Sequence, residues 1–404
     1  MGGSLLELLA IGEQDTHLIG NPKFSYFKKV YKTHTNFSIE PIAQYFLETP
    51  DFGKKVVCPI DRKGDLLSQI FLELELPALQ ANVSWINGIG NHIIKDVELE
   101  IGGVSICKIS GEFLDVYSEM TTTESKRSAY YKMVGKFSSF SRNSQTGALH
   151  LFVPLPFWFC KTICCSLPLV SMQYSQVRVN LTFRPFNEAW YSGTAMSITP
   201  SAKNITNAKL YCDYIFLDAH ERTKMANMDT QDFLIEQLQK IEGNTINANV
   251  SHTNLHFKLN HPVKELIWIY QANSVRDTND WGNFSMTLDD DTLIQTQTAP
   301  LTYCTLLNNN LERFERRNAN YFRYVIPWQR HLAINPDDFI YVYSFALFPE
   351  NHQPSGTCNF SKLESNTLQL EFVSGIPTGD LRIYAINYNV IRIKNGMTGL
   401  LYSS

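Results

Sequence analysis

The chain has 404 residues, of which 44% are hydrophobic and 18% charged, with a formal net charge of −4. That length exceeds what one hydrophobic core serves, so two domains are expected, and the apolar content excludes long disordered tails. The slightly acidic balance makes no global electrostatic case for nucleic acid, and no direct sequence-specific nucleic-acid partner is expected.

Met1-Gly2-Gly3 opens without a basic segment, so no signal peptide is expected. Ser4 and Glu7 are spaced as a capping box ahead of Leu5, Leu6, Leu8, Leu9 and Ile11, which predicts a short helix. Asn21-Pro22 predicts a second helix, with Phe24, Phe27 and Tyr31 along one face. Together they make an N-terminal arm, residues 1–35, that cannot bury its own apolar faces. Leu5, Leu8, Leu9, Phe24, Phe27 and Tyr31 are its candidate assembly contacts. The lysines at 23, 28, 29 and 32 read better as the solvated side of that docking helix than as phosphate ligands.

From Asn36 the hydrophobic period changes to two, which predicts strands over residues 37–42, 54–60, 70–76, 97–101, 149–155, 177–183 and 210–217. A helix is predicted over 111–120 and a long surface loop over 121–146. The longest apolar run, residues 151–160, carries two prolines and is about half a membrane span, so a soluble chain is expected. Asp218 and Glu221 open a helical connector, with a second helical piece over 233–238. Strands resume over 256–259, 266–270, 341–348, 368–372 and 381–393. Two blocks, 36–218 and 241–404, are thus joined by a helical connector, 219–240. With about eight strands per block, the expected fold is all-β: two consecutive eight-stranded antiparallel jelly rolls, with short helices in arm and connector.

A search for chemistry finds little. The eight cysteines form no CxxC pair or regular framework and read as free thiols from a reducing compartment, Cys164-Cys165 included. His252 and His256 suggest a cupin-like metal pair, but four residues along a strand separate their side chains by about 13 Å. Asp289-Asp290-Asp291 lacks the glycine and terminal glutamate of a calcium loop. No phosphate-binding loop, nucleophile elbow or zinc-protease motif occurs. Neither catalysis, metal nor cofactor is expected. Of seven Asn-x-Ser/Thr triplets, Asn82, Asn204 and Asn283 are candidate glycosylation sites, although the missing signal peptide makes most of the triplets chance occurrences.

The most specific signal is a set of motifs in order along nearly the whole chain. It begins with Leu18-Ile19-Gly20-Asn21-Pro22 and His34-Thr35-Asn36-Phe37-Ser38-Ile39-Glu40. It continues with Lys63-Gly64-Asp65-Leu66-Leu67, Pro154-Leu155-Pro156-Phe157-Trp158 and His261-Pro262-Val263-Lys264-Glu265-Leu266. Tyr343-Ser344-Phe345-Ala346-Leu347, Gln353-Pro354-Ser355-Gly356 and Asn387-Tyr388-Asn389-Val390 close it. This set resembles the major capsid proteins of nucleocytoplasmic large DNA viruses. The resemblance implies a double jelly-roll subunit, a homotrimer whose six barrels give a pseudo-hexagonal capsomer, and an icosahedral shell over an internal membrane. Implied partners are neighbouring capsomers, penton proteins and minor capsid proteins, the last of these near an inward-lying arm. The implied location is the virion capsid, after synthesis in the host cytoplasm. Asn309-Asn310 stands where the family often has Asn-Gly, and asparagine tolerates the left-handed backbone such a turn needs. Two other readings are a minor capsid paralogue of the same fold, and a carbohydrate- or receptor-binding module with Trp85, Trp190 or Trp281 as an exposed platform. A cupin-like metalloenzyme is a third.

Overall fold

A computed structural model describes residues 3–29, 31–80, 83–137, 147–192, 204–286, 298–333 and 338–402. It divides into two compact units, Met1–Asn36 and Phe37–Ser404.

The first unit holds helices α1 (Gly3–Leu9) and α2 (Thr16–Ile19). Ser4 lies inside α1 rather than capping it. The helix predicted from Asn21 does not form: α2 ends at Gly20, and Asn21 takes a left-handed backbone, φ +51°. Serine and the aromatics are mediocre helix formers, and a short segment without a packing partner does not nucleate. Phe24 and Tyr26 instead meet edge-on, 5.0 Å between ring centroids.

In the second unit the first roll comprises β1 (Phe37–Gln44), β2 (Lys55–Ile60), β3 (Leu66–Leu76), β4 (Val83–Trp85), β5 (Ile94–Ile101), β6 (Val104–Ser110), β7 (Leu149–Pro154), β8 (Val177–Phe183), β9 (Trp190–Ser192) and β10 (Asn207–Leu217). Its main sheets run β1-β10-β3-β7 and β2-β8-β5-β6, with β4-β9 as a small separate ladder. The second roll comprises β11 (Thr230–Ile246), β12 (His252–Phe257), β13 (Pro262–Ala272), β14 (Leu301–Asn308), β15 (Leu311–Asn318), β16 (Tyr341–Ser344), β17 (Cys358–Asn359), β18 (Asn366–Phe372), β19 (Gly379–Lys394) and β20 (Met397–Leu400). Its sheets run β11-β19-β13-β16, with β17 along β13 and β20 along β19, and β12-β18-β14-β15. Neighbouring strands pair antiparallel, as the facing sheets of a jelly roll require.

Alternation sets the faces. In β5, Val97, Leu99 and Ile101 are buried while Glu98 and Glu100 face outward. β13 is buried along nearly its whole length, with an apolar run over residues 266–270 and the charged pair Lys264 and Glu265 just before it. The Asn309-Asn310 substitution keeps its hairpin: φ is +49° and +62°, the left-handed pair of a two-residue turn joining β14 to β15. All eight cysteines are free thiols.

The connecting helices are α3 (Ile89–His92), α4 (Gly111–Thr121), α5 (Glu124–Val134), α6 (Trp158–Lys161), α7 (Ala219–Ala226), α8 (Asn273–Asp277) and α9 (Ile326–Arg330). Ser110 caps α4 by accepting from Phe113 N, and Asp218 caps α7 by accepting from Glu221 N at 2.8 Å. Gly111 is required where it stands, since a Cβ there would lie 2.0 Å from Ile94 O. Two expectations are corrected. Part of the loop predicted over 121–146 is α5, closed by Gly135 at φ +68° and anchored by hydrogen bonds from Tyr130 to Asn91 and from Tyr131 to Glu119. The helical piece predicted over 233–238 is strand, the middle of the long ladder between β11 and β19.

Candidate assembly surfaces and the seam between the rolls

The two rolls meet through buried charge. Glu236 of β11 sits between two ammonium groups: Lys161, at the end of α6 in the first roll, and Lys264 of β13, 2.5 Å away. Lys264 Nζ also donates to Pro349 O at 2.6 Å. Burial alone would raise the Glu236 pKa, but the two lysines outweigh it and hold the carboxyl down at about 2. Burial, helped by Lys161, pulls Lys264 down to about 8. A second cluster gathers on Glu112 of α4. Arg382 and Tyr384 of β19 both donate to it, the tyrosine at 2.6 Å, and Lys240 of β11 stands 3.8 Å off.

Further bonds stitch the same seam. Tyr174 N donates to Gly396 O at 2.9 Å, and Thr398 N to Ser175 Oγ at 2.7 Å. Gln237 Nε2 reaches Ile106 O, and Asn279 Nδ2 reaches the carbonyls of Asn187 and Trp190. Directional bonds between buried polar groups fix an angle as well as a distance, so the rolls are set at one mutual orientation.

The candidate assembly residues of the arm present apolar surface. Leu5, Leu8, Leu9, Phe24, Phe27 and Tyr31 are all exposed, Phe27 completely. Sequence reasoning missed a second apolar surface, in the second roll. Trp328 and Leu332, each 76% exposed, stand with Leu347 and Phe348, also exposed, on segments tied together by one buried histidine. His331 Nε2 meets Glu265 Oε1 at 2.5 Å and Nδ1 meets Glu350 Oε1 at 3.1 Å, while Leu332 N donates to the same Glu350 oxygen. The clue in the sequence was Lys264-Glu265, two charges inside an apolar strand.

Burial would lower the His331 pKa, but Glu265 and Glu350 reverse the effect and raise it to about 10. A base whose pKa rises on folding stabilises fully below its unfolded value, near 6.5, and loses that contribution as pH climbs through its folded value. His331→Gln is therefore expected to lose about 2–4 kcal/mol at pH 6. The gap to the parent should narrow as urea melts are repeated toward pH 10, and a gap independent of pH would refute this account.

The other predicted positions scatter. Asn82 and Asp289 to Asp291 lie outside the described residues. Asn204 is exposed. Asn283 is buried, its Nδ2 donating to Asp280 and its Oδ1 accepting from Ser285, which corrects its reading as a glycan acceptor. His252 and His256 both lie exposed on β12 and bond separately, to Ser251 and Thr367. The tryptophans are no platform: Trp85 is buried, Trp190 is half-buried, and the half-buried Trp281 lies under the Arg184 guanidinium at 3.8 Å.

Two antiparallel sandwiches in series, locked at a charged seam, define a double jelly roll. Residues 25–218 match the family described as major capsid protein N-terminus, and residues 221–399 the family described as large eukaryotic DNA virus major capsid protein. The chain is 37% identical to the major capsid protein of Pyramimonas orientalis virus and 33% identical to that of Phaeocystis pouchetii virus, covering 100% of both chains in each case. Its fold superposes on a subunit of the PBCV-1 virus capsid with TM-score 0.82 at 30% identity, over 94% of this chain and 100% of that one. The chain belongs to the major capsid protein family of large eukaryotic DNA viruses. Its function is structural, in the virion capsid, and it is not an enzyme.

Proposed function

We propose that three copies of the chain close into a ring of six barrels, a pseudo-hexagonal capsomer that tiles an icosahedral shell. The observation that carries this reading is the charged seam: each chain supplies two barrels at one fixed angle, so three identical chains suffice for a six-lobed block. Exposed Trp328, Leu332, Leu347 and Phe348 offer apolar surface of the kind subunit contacts bury. The arm, residues 1–35, serves as the contact to minor capsid and penton proteins, and through them to an internal membrane. Assembly takes place in the host cytoplasm, a setting that suits eight free thiols. Asn204 remains the exposed candidate for a glycan. Light scattering of the purified protein should give three times the 46.2 kDa of one chain at all concentrations tested. A stable monomer overturns the proposal.

A further inference from the structure

One cluster on the outside of the first roll plays no part in the seam. On β3, Leu72 and Leu74 point into the core, so Glu73 and Glu75 share the outer face. Opposite Glu75, on β7, stands His150; opposite Glu73, on β10, stands Lys209. The donor atoms of Glu73, Glu75 and His150 all lie within 4.8 Å of one another. His150 Nε2 already meets Glu73 Oε1 at 2.6 Å, and its ring packs on Phe152, 4.8 Å between centroids.

Glu73 is the anomaly. It is a carboxylate on a water-facing sheet surface, yet its side chain is only 10% exposed. Its Oε2 is shut off from solvent, and Lys209 Nζ, 3.3 Å away as an ion pair, is its neighbour of opposite charge. Two carboxylates two residues apart on one strand face repel, and a single lysine neutralises only one of them.

We propose that Glu73, Glu75 and His150 form a divalent transition-metal site, best matched to Zn2+. One imidazole nitrogen and two carboxylate oxygens are a three-ligand zinc set, whereas Mg2+ and Ca2+ prefer oxygen alone. All three donors stand on paired strands, which hold their spacing without a flexible loop. The His150 side chain is half exposed, so the remaining coordination position faces water. The Nε2 atom that meets Glu73 is the one that would take the metal.

The test uses the full chain, stripped with EDTA and titrated with ZnCl2 by calorimetry, with metal counted after dialysis. One Zn2+ per chain is expected. His150→Ala and Glu75→Gln should each weaken binding about tenfold or more, while His252→Ala leaves it unchanged. Thermal melts of the metal-free variants, unchanged from the parent, show that the fold survives. No stoichiometric Zn2+, or binding by His150→Ala equal to the parent, overturns the proposal.

Discussion

Replacing Glu236 by alanine is expected to lower folding stability by about 3–5 kcal/mol, because two buried ammonium groups lose their shared partner. Lys264 is 1% exposed and cannot turn to water, and Lys161 is held at the end of a single-turn helix. The loss should show in urea melts at neutral pH. Hydrogen exchange should rise on both sides of the seam, at α6 and around Pro349, to which Lys264 also bonds. Replacing all three charges together, as Lys161→Met, Glu236→Leu and Lys264→Met, should recover most of the loss, since no charge then stays buried. Acid gives an independent check. A carboxyl depressed to about 2 stabilises above its ordinary value of 4.5, and that contribution fades as pH falls toward 2. The alanine variant should lack this component of acid sensitivity. A loss below about 1 kcal/mol would mean that the cluster is better hydrated than its burial indicates.

Changing Leu5, Leu8, Leu9, Phe24, Phe27 and Tyr31 together to serine should leave the barrels intact and abolish shell formation. These side chains are exposed in the isolated chain, so their loss costs the fold little. In an assembled shell each would bury surface worth roughly 1.5–3 kcal/mol, and six such losses per chain outweigh the contacts of most interfaces. Electron microscopy of the variant should show capsomers without closed shells, with a melting temperature within a degree or two of the parent. Normal shells would remove the arm from the assembly argument.

The strands with one wet face were plain in the sequence, because Val97-Glu98-Leu99-Glu100-Ile101 can alternate only one way around a core. Residues 233–238 misled for a physical reason. Leu234, Ile235, Leu238 and Ile241 fall at helical spacing because β11 lies against the first roll, and its polar side chains reach across to Lys161, Ile106 and Glu112 instead of to water. The helix at Glu124–Val134 was hidden by a polar surface, with Tyr130 and Tyr131 as its inward anchors. The charged clusters were illegible from spacing, since Glu112 and Arg382 are far apart in the chain and only the folded seam brings them together. The surface around Trp328 escaped notice because an exposed tryptophan looks like a buried one in sequence.

The rolls are unequal. β11 and β19 run 17 and 16 residues, while the longest strands of the first roll run 11. A three-chain ring built from them would have a six-sided outline but alternate long and short lobes around its rim. Turning such a block by about 60° in a hexagonal lattice exchanges long for short at every edge. Two seatings that look alike in outline would then differ in every lateral contact. A growing sheet would keep the seating it began with, and a line where two sheets of opposite seating met would be a natural fold or facet boundary of the shell.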